Sequence, residues 1–107
     1  MKESQTIEFK LSWRDEYLKI ICAFANTDGG KLIIGVDDYG NPVGVENSTK
    51  LLEDLPNKIR DILGLIPKIK LEKKKGKDII ILEVEYSYAP ISYQGRFYIR
   101  SGSSVQE

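Results

Sequence analysis

The chain contains no histidine. That removes every serine–histidine and cysteine–histidine nucleophile, and every histidine metal site. Its single cysteine, Cys22, excludes an internal disulfide and a cysteine zinc cluster, so no zinc is expected. No apolar run approaches the length of about 18 residues that a membrane span needs. Behind Met1-Lys2-Glu3-Ser4-Gln5 there is no apolar signal core, which points to a cytoplasmic protein. A length of 107 residues leaves room for one ordinary domain, spanning 1–107. Any catalysis therefore has to rest on carboxylates, lysine, tyrosine, hydroxyls or a hard metal ion.

A net excess of charge is also missing. Lys and Arg together number 16, as do Asp and Glu. Global charge gives no support for nucleic-acid binding, but its distribution is uneven. Residues 66–77 carry six lysines against the single acid Glu72, whereas residues 21–65 carry four basic and seven acidic side chains. One short basic stretch stands in an otherwise acidic chain.

Thr6-Ile7-Glu8-Phe9-Lys10 alternates apolar and polar residues as a half-buried strand does. Ser12 opens a capping-box-like start, and Tyr17, Ile20, Ile21, Phe24 and Ala25 recur at helical spacing, which predicts a helix over about 13–26. Gly29-Gly30 ends it and is read as structural, because a helix C-terminus does not attract phosphate. Lys31–Val36 reads as a strand buried on both faces, followed by a turn at Tyr39-Gly40-Asn41 and a short strand at Pro42–Val45. Asn47 or Ser48 caps a second helix, with Pro56 marking a kink or break and Gly64 the stop. Strands at about 67–74 and 78–86 join at Lys75-Gly76-Lys77, and a last strand runs from Arg96 to Arg100. This order predicts a single α+β domain, two helices packed on a mixed, mostly antiparallel sheet. Cys22, amid apolar helix positions, is read as inert core, and Trp13 as a packing anchor.

Three groups of residues carry possible chemistry. Glu3, Glu8 and the pair Asp37-Asp38 would form a site for Mg²⁺ or Mn²⁺ if they converged, since those ions take oxygen ligands and activate water. The aspartates equally suit a turn, and the glutamates a solvated surface. Lys68, Lys70, Lys73, Lys74, Lys75 and Lys77 suit a phosphate backbone, or an edge hairpin protected against aggregation. In Arg96-Phe97-Tyr98-Ile99-Arg100 the two arginines and Tyr98 share a face, fit for phosphate and base contact or for pairing with Glu83 or Glu85.

Glu3–Lys10, Ala23-Phe24-Ala25-Asn26-Thr27-Asp28-Gly29-Gly30, Leu32–Gly40, Val43-Gly44-Val45 and Arg96–Ser103 together resemble the Schlafen-type AlbA domain over nearly the whole chain. The resemblance implies a small α+β fold and a nucleic-acid-binding role. Schlafen proteins include metal-dependent endoribonucleases that cut transfer and ribosomal RNA, and their three-carboxylate site falls by motif on Glu3, Glu8 and Asp38. The expectation is thus a minimal endoribonuclease using Mg²⁺ or Mn²⁺ on tRNA-like RNA. Lys10, Lys68, Lys70, Lys73, Lys74, Arg96 and Arg100 would hold the backbone. Schlafen nucleases build their groove from two lobes and this chain offers one, so a homodimer is expected. The alternatives are a non-catalytic DNA- or RNA-binding module of a transcriptional regulator, and a protein-interaction domain.

Overall fold

In a computed structural model, which describes residues 2–107, a four-stranded sheet carries two helices on one of its faces. The order along the chain is β1 (Ile7–Lys10), α1 (Leu18–Asn26), β2 (Gly30–Ile34), α2 (Ser48–Leu63), β3 (Lys68–Lys74) and β4 (Lys77–Val84). Two hairpins follow: β5 (Ser92–Tyr93) with β6 (Arg96–Phe97), and β7 (Ile99–Ser101) with β8 (Ser104–Gln106). The sheet runs β1-β2-β4-β3; only β1 and β2 are parallel. The expected mixed, mostly antiparallel α+β architecture is the one found. No helix among the described residues is long and apolar enough to cross a membrane.

Alternation along the strands divides the sheet into two unlike faces. Leu32, Ile34, Ile80, Leu82 and Val84 point toward the helices and join Leu18, Ile21, Phe24, Leu51, Leu55 and Ile59 in the main core. On the opposite face Phe9, Val36 and Ile79 form a second cluster, flanked by the partly exposed Ile7, Ile33 and Ile81 and containing no helical residue. β2 is therefore not buried on both faces as expected: Lys31 is exposed and Ile33 half-buried on the side without helices.

Several boundaries differ for identifiable reasons. α1 starts at Leu18, not near Trp13, because a 3₁₀ turn at Asp15–Tyr17 precedes it. There the Asp15 carboxylate accepts from the Trp13 indole at 2.8 Å and from Lys58 of α2 at 2.7 Å, and Ser12 caps nothing. Trp13 packs edge-on to Tyr17 against the core, as an anchor. Pro42–Val45 forms only an isolated bridge, Val36 to Pro42, since the Gly35 carbonyl accepts from both the Val43 and the Gly44 amides. Pro56 leaves α2 unbroken, and Gly64, at φ 71°, ends it.

The expected strand Arg96–Arg100 splits in two. The Tyr98 carbonyl accepts from the Asn26 side chain at 2.9 Å, and the Arg100 amide donates to the Thr27 hydroxyl at 2.9 Å. Those backbone groups bind the end of α1 instead of a neighbouring strand. Gly29 has φ 73°, and a Cβ there would sit 2.8 Å from the Val84 carbonyl oxygen, so this glycine is structural.

Candidate functional site

Two of the three candidate acids meet. Glu8 projects from β1 onto the helix side of the sheet and is buried, 7% exposed. Glu3, in the segment before β1, turns back so that its carboxylate accepts the Phe9 amide at 2.9 Å, and its carboxyl shares a hydrogen bond with that of Glu8. Burial pushes the Glu8 carboxyl up to about 7; Glu3 beside it pushes the same way, and Arg100 opposes. Burial alone would raise Glu3 as well. The hydrogen bonds from Glu8 and the Phe9 amide, with the charges of Lys10 and Arg100, outweigh it and hold Glu3 below its ordinary value.

The third participant is Arg100, whose side chain is wholly buried. Its Nη1 donates to Glu8 Oε1 at 2.7 Å, its Nε to the Gln5 carbonyl at 3.2 Å, and its Nη2 to the carbonyls of Ser4 and, at 3.4 Å, Ile7. The guanidinium lies 4.9 Å from the centre of the Phe24 ring. A fork of fixed donors satisfies one carboxylate and three carbonyls at once, which is the geometry arginine is suited to. Arg100 thus locks the C-terminal strand to the segment preceding β1. It is not a surface cation, and the expected contact between Arg100 and phosphate has no accessible atom to make it.

Asp38 lies apart from this cluster, exposed on the turn after β2. Its neighbour Asp37 organises that turn, accepting the amides of Tyr39 and Asn41, each at 2.9 Å. Those bonds, from Asn41 foremost, hold the Asp37 carboxyl below its usual value. Among the described residues no three acidic or cysteine side chains are grouped to hold a metal ion. Glu8 has one oxygen on Arg100 and Lys10 at 3.9 Å from the other, leaving little of the free carboxylate a hard cation requires. In this structure the residues Glu3, Glu8 and Asp38 do not fit a Mg²⁺ or Mn²⁺ site.

The basic candidates disperse. Lys10 sits between Glu8 and the Tyr17 ring, 4.7 Å from its centre. Arg96 is exposed and paired with Glu107 at 2.5 Å. Alternation in β3 sends Lys73 to the helix side, where it meets Asp78 at 3.1 Å. It sends Lys68, Lys70 and Lys74 to the helix-free face. There the strand register forms continuous rows: Ile7, Lys31, Glu83 and Lys68 side by side, then Phe9, Ile33, Ile81 and Lys70. Lys77, paired with Lys74 across the β3–β4 turn, lies on the same face, and Lys31, absent from the candidates because its sequence surroundings are apolar, completes a set of five lysines there.

Lys31, Lys70 and Lys74 border a groove of about 260 Å³ lined by Ile7, Phe9, Ile33, Ile79 and Ile81, and Lys68 borders a neighbouring one with Lys31 and Lys70. Glu72 and Glu83 share the face; Glu72 lies 3.1 Å from Lys70 and 4.0 Å from Lys74, and Lys68 is 3.8 Å from Glu85. Exposed pairs of this kind contribute about 0–1 kcal/mol each, so a phosphate can displace them.

The family model described as Schlafen, AlbA_2 matches residues 3–107. The chain belongs to this family. A solved structure, the N-terminal domain of a Nitrosomonas europaea protein described as related to the ATP-dependent DNA helicase RecG, is 32% identical. That match covers 99% of this chain and 84% of the other, with a TM-score of 0.74. The DIP2311 protein of Corynebacterium diphtheriae has the same fold at 22% identity and a TM-score of 0.79; the match covers 95% of this chain but only 22% of that one. Within the Schlafen AlbA_2 domain described here, the Asn26-Thr27 pair acts structurally. Asn26 donates to the carbonyls of Ile91 and Tyr98 and accepts the Ile91 amide at 2.8 Å. Its position at a predicted helix end offered no signal for that role.

Proposed function

We propose that this Schlafen AlbA_2 domain binds nucleic acid through the helix-free face of its sheet, without a metal ion and without hydrolysis. The observation that carries the reading is the placement of Lys31, Lys68, Lys70 and Lys74 on one open surface of a chain with no net charge. Ammonium groups spaced by strand pairing suit the regular charges of a phosphate backbone. The family and the RecG-related neighbour agree with a nucleic-acid role for the domain. The acids assigned to cleavage by motif are engaged differently, with Glu8 clasped by Arg100 and Asp38 on a separate turn.

The test is fluorescence anisotropy with labelled DNA and RNA in EDTA, repeated at several salt concentrations. Binding that weakens steeply with salt is expected, and each of Lys31→Ala and Lys70→Ala should flatten the log–log slope by about 0.7–0.9. Binding only when Mg²⁺ or Mn²⁺ is added, or RNA cleavage lost in Glu8→Gln, would replace this reading with the hydrolytic one. The same titration gives the number of chains per strand, and so tests the expected homodimer.

A further inference from the structure

A second surface feature lies at the end of the sheet, outside the lysine set. Tyr88 is 94% exposed, Phe97 56% and Tyr86 46%. Tyr86 and Tyr88 meet edge to face with ring centres 5.2 Å apart. Both, with Phe97, border a groove of about 260 Å³ above Asn26 and Pro90. The core has no need of these rings. Asn26 and Thr27 already anchor this region through hydrogen bonds to the backbone at Ile91, Tyr98 and Arg100.

Tyr86 joins this patch to the lysine face. It borders one groove together with Lys31 and another together with Lys68. Carboxylates stand in the same grooves: Asp28, Glu83 and Glu85. They weaken the hold of Lys31 and Lys68 on phosphate, so a ligand crossing here needs a further contact besides its backbone. Exposed aromatic rings supply that. A nucleobase has a π-face whatever its identity, and stacking on a ring does not depend on sequence. In a duplex those faces are taken up by neighbouring base pairs.

We infer that Tyr86, Tyr88 and Phe97 form a base-stacking platform, and that the ligand of this domain is single-stranded nucleic acid, its phosphates on Lys31 and Lys68 and its bases on the three rings. This inference rests on the nucleic-acid reading above and adds the class of strand.

The experiment compares Tyr88→Ala, Phe97→Ala and Tyr88→Trp with the wild-type chain. Its probes are a single strand of about 12 nucleotides containing 2-aminopurine and a duplex of the same length. Each alanine variant should bind the single strand roughly 5- to 150-fold more weakly, leave duplex binding unchanged and abolish the quenching of 2-aminopurine. Tyr88→Trp should restore both affinity and quenching. Equal single-strand affinity and quenching in wild type and both alanine variants would overturn the inference. Should Lys31→Ala weaken binding in that case, the nucleic-acid reading stands and the platform alone fails. A wild-type chain that binds neither probe at low salt would overturn both.

Discussion

Replacing Arg100 by leucine should destabilise the domain severely. The leucine fills part of the same space over Phe24 but removes the donors that reach Glu8 and the carbonyls of Ser4, Gln5 and Ile7. Glu8 then remains buried without its cation. Breaking a buried pair by removing one partner costs about 3–5 kcal/mol. A chain of this length unfolds with an entropy of about 0.2 kcal/mol/K, so the melting temperature should fall by about 13–22 °C. The deficit depends on pH in a defined direction. Arg100 opposes the rise of the Glu8 carboxyl, so without it Glu8 is pushed above about 7. The deficit is larger at pH 8, where the intact pair is ionised and the variant must either hold a proton or bear an unpaired charge. It shrinks toward pH 5, where Glu8 is protonated in both. Thermal unfolding followed by circular dichroism, at pH 5 and pH 8, measures both. In the double variant Glu8→Gln with Arg100→Leu, stability should partly recover, because no buried charge is left. A fall of less than about 4 °C in Arg100→Leu at pH 8, corresponding to about 1 kcal/mol, would show that the clasp contributes no more than an exposed ion pair.

Other consequences follow from the same geometry. The folded Glu8 carboxyl holds its proton to about 7, above the ordinary 4.5, so wild-type stability should decline as pH rises between those values; unfolding across pH 4.5–7.5 should show a decline that Glu8→Gln lacks. Glu3 is shifted the opposite way, so its contribution is present above 4.5 and lost as pH falls through its lowered value, a separate window that Glu3→Gln should remove. Gly29→Ala should cost about 1–3 kcal/mol in urea unfolding, since alanine at φ 73° is strained and its Cβ meets the Val84 carbonyl. Asn26→Ala should lower stability by about 1–3 kcal/mol and speed hydrogen exchange at the Ile91 amide, which then loses its acceptor.

Most of the fold was legible because periodicity and punctuation agree in this chain. The apolar stripe from Leu51 to Leu63 with Gly64 behind it identified α2, and Lys75-Gly76, both at positive φ, identified the β3–β4 turn. The site was legible only in part. Glu3 and Glu8 meet because they flank one strand start, a local relation that sequence carries. That Arg100 clasps Glu8 depends on a contact 92 residues away in sequence, set by how Asn26 and Thr27 seize the C-terminal strand. Arg96, Tyr98 and Arg100 looked like one face because period two was read through a strand that the helix end divides. The lysines show the same limit. Four of them in β3 looked equivalent, yet alternation places Lys73 against Asp78 and puts Lys31, from another strand, in the remaining row. Which face of a sheet receives the helices is a tertiary fact, and it decides which cations stay free to meet a ligand.

Amide chemical-shift mapping during titration with a short single strand, in EDTA, tests the location of binding most directly. The proposed interface predicts that shifts concentrate at Lys31, Ile33, Lys70, Lys74 and Ile81, with the exposed side of α2 around Glu53 and Asn57 unaffected. Shifts centred on α2, or on Asp38 and dependent on added Mn²⁺, would contradict it.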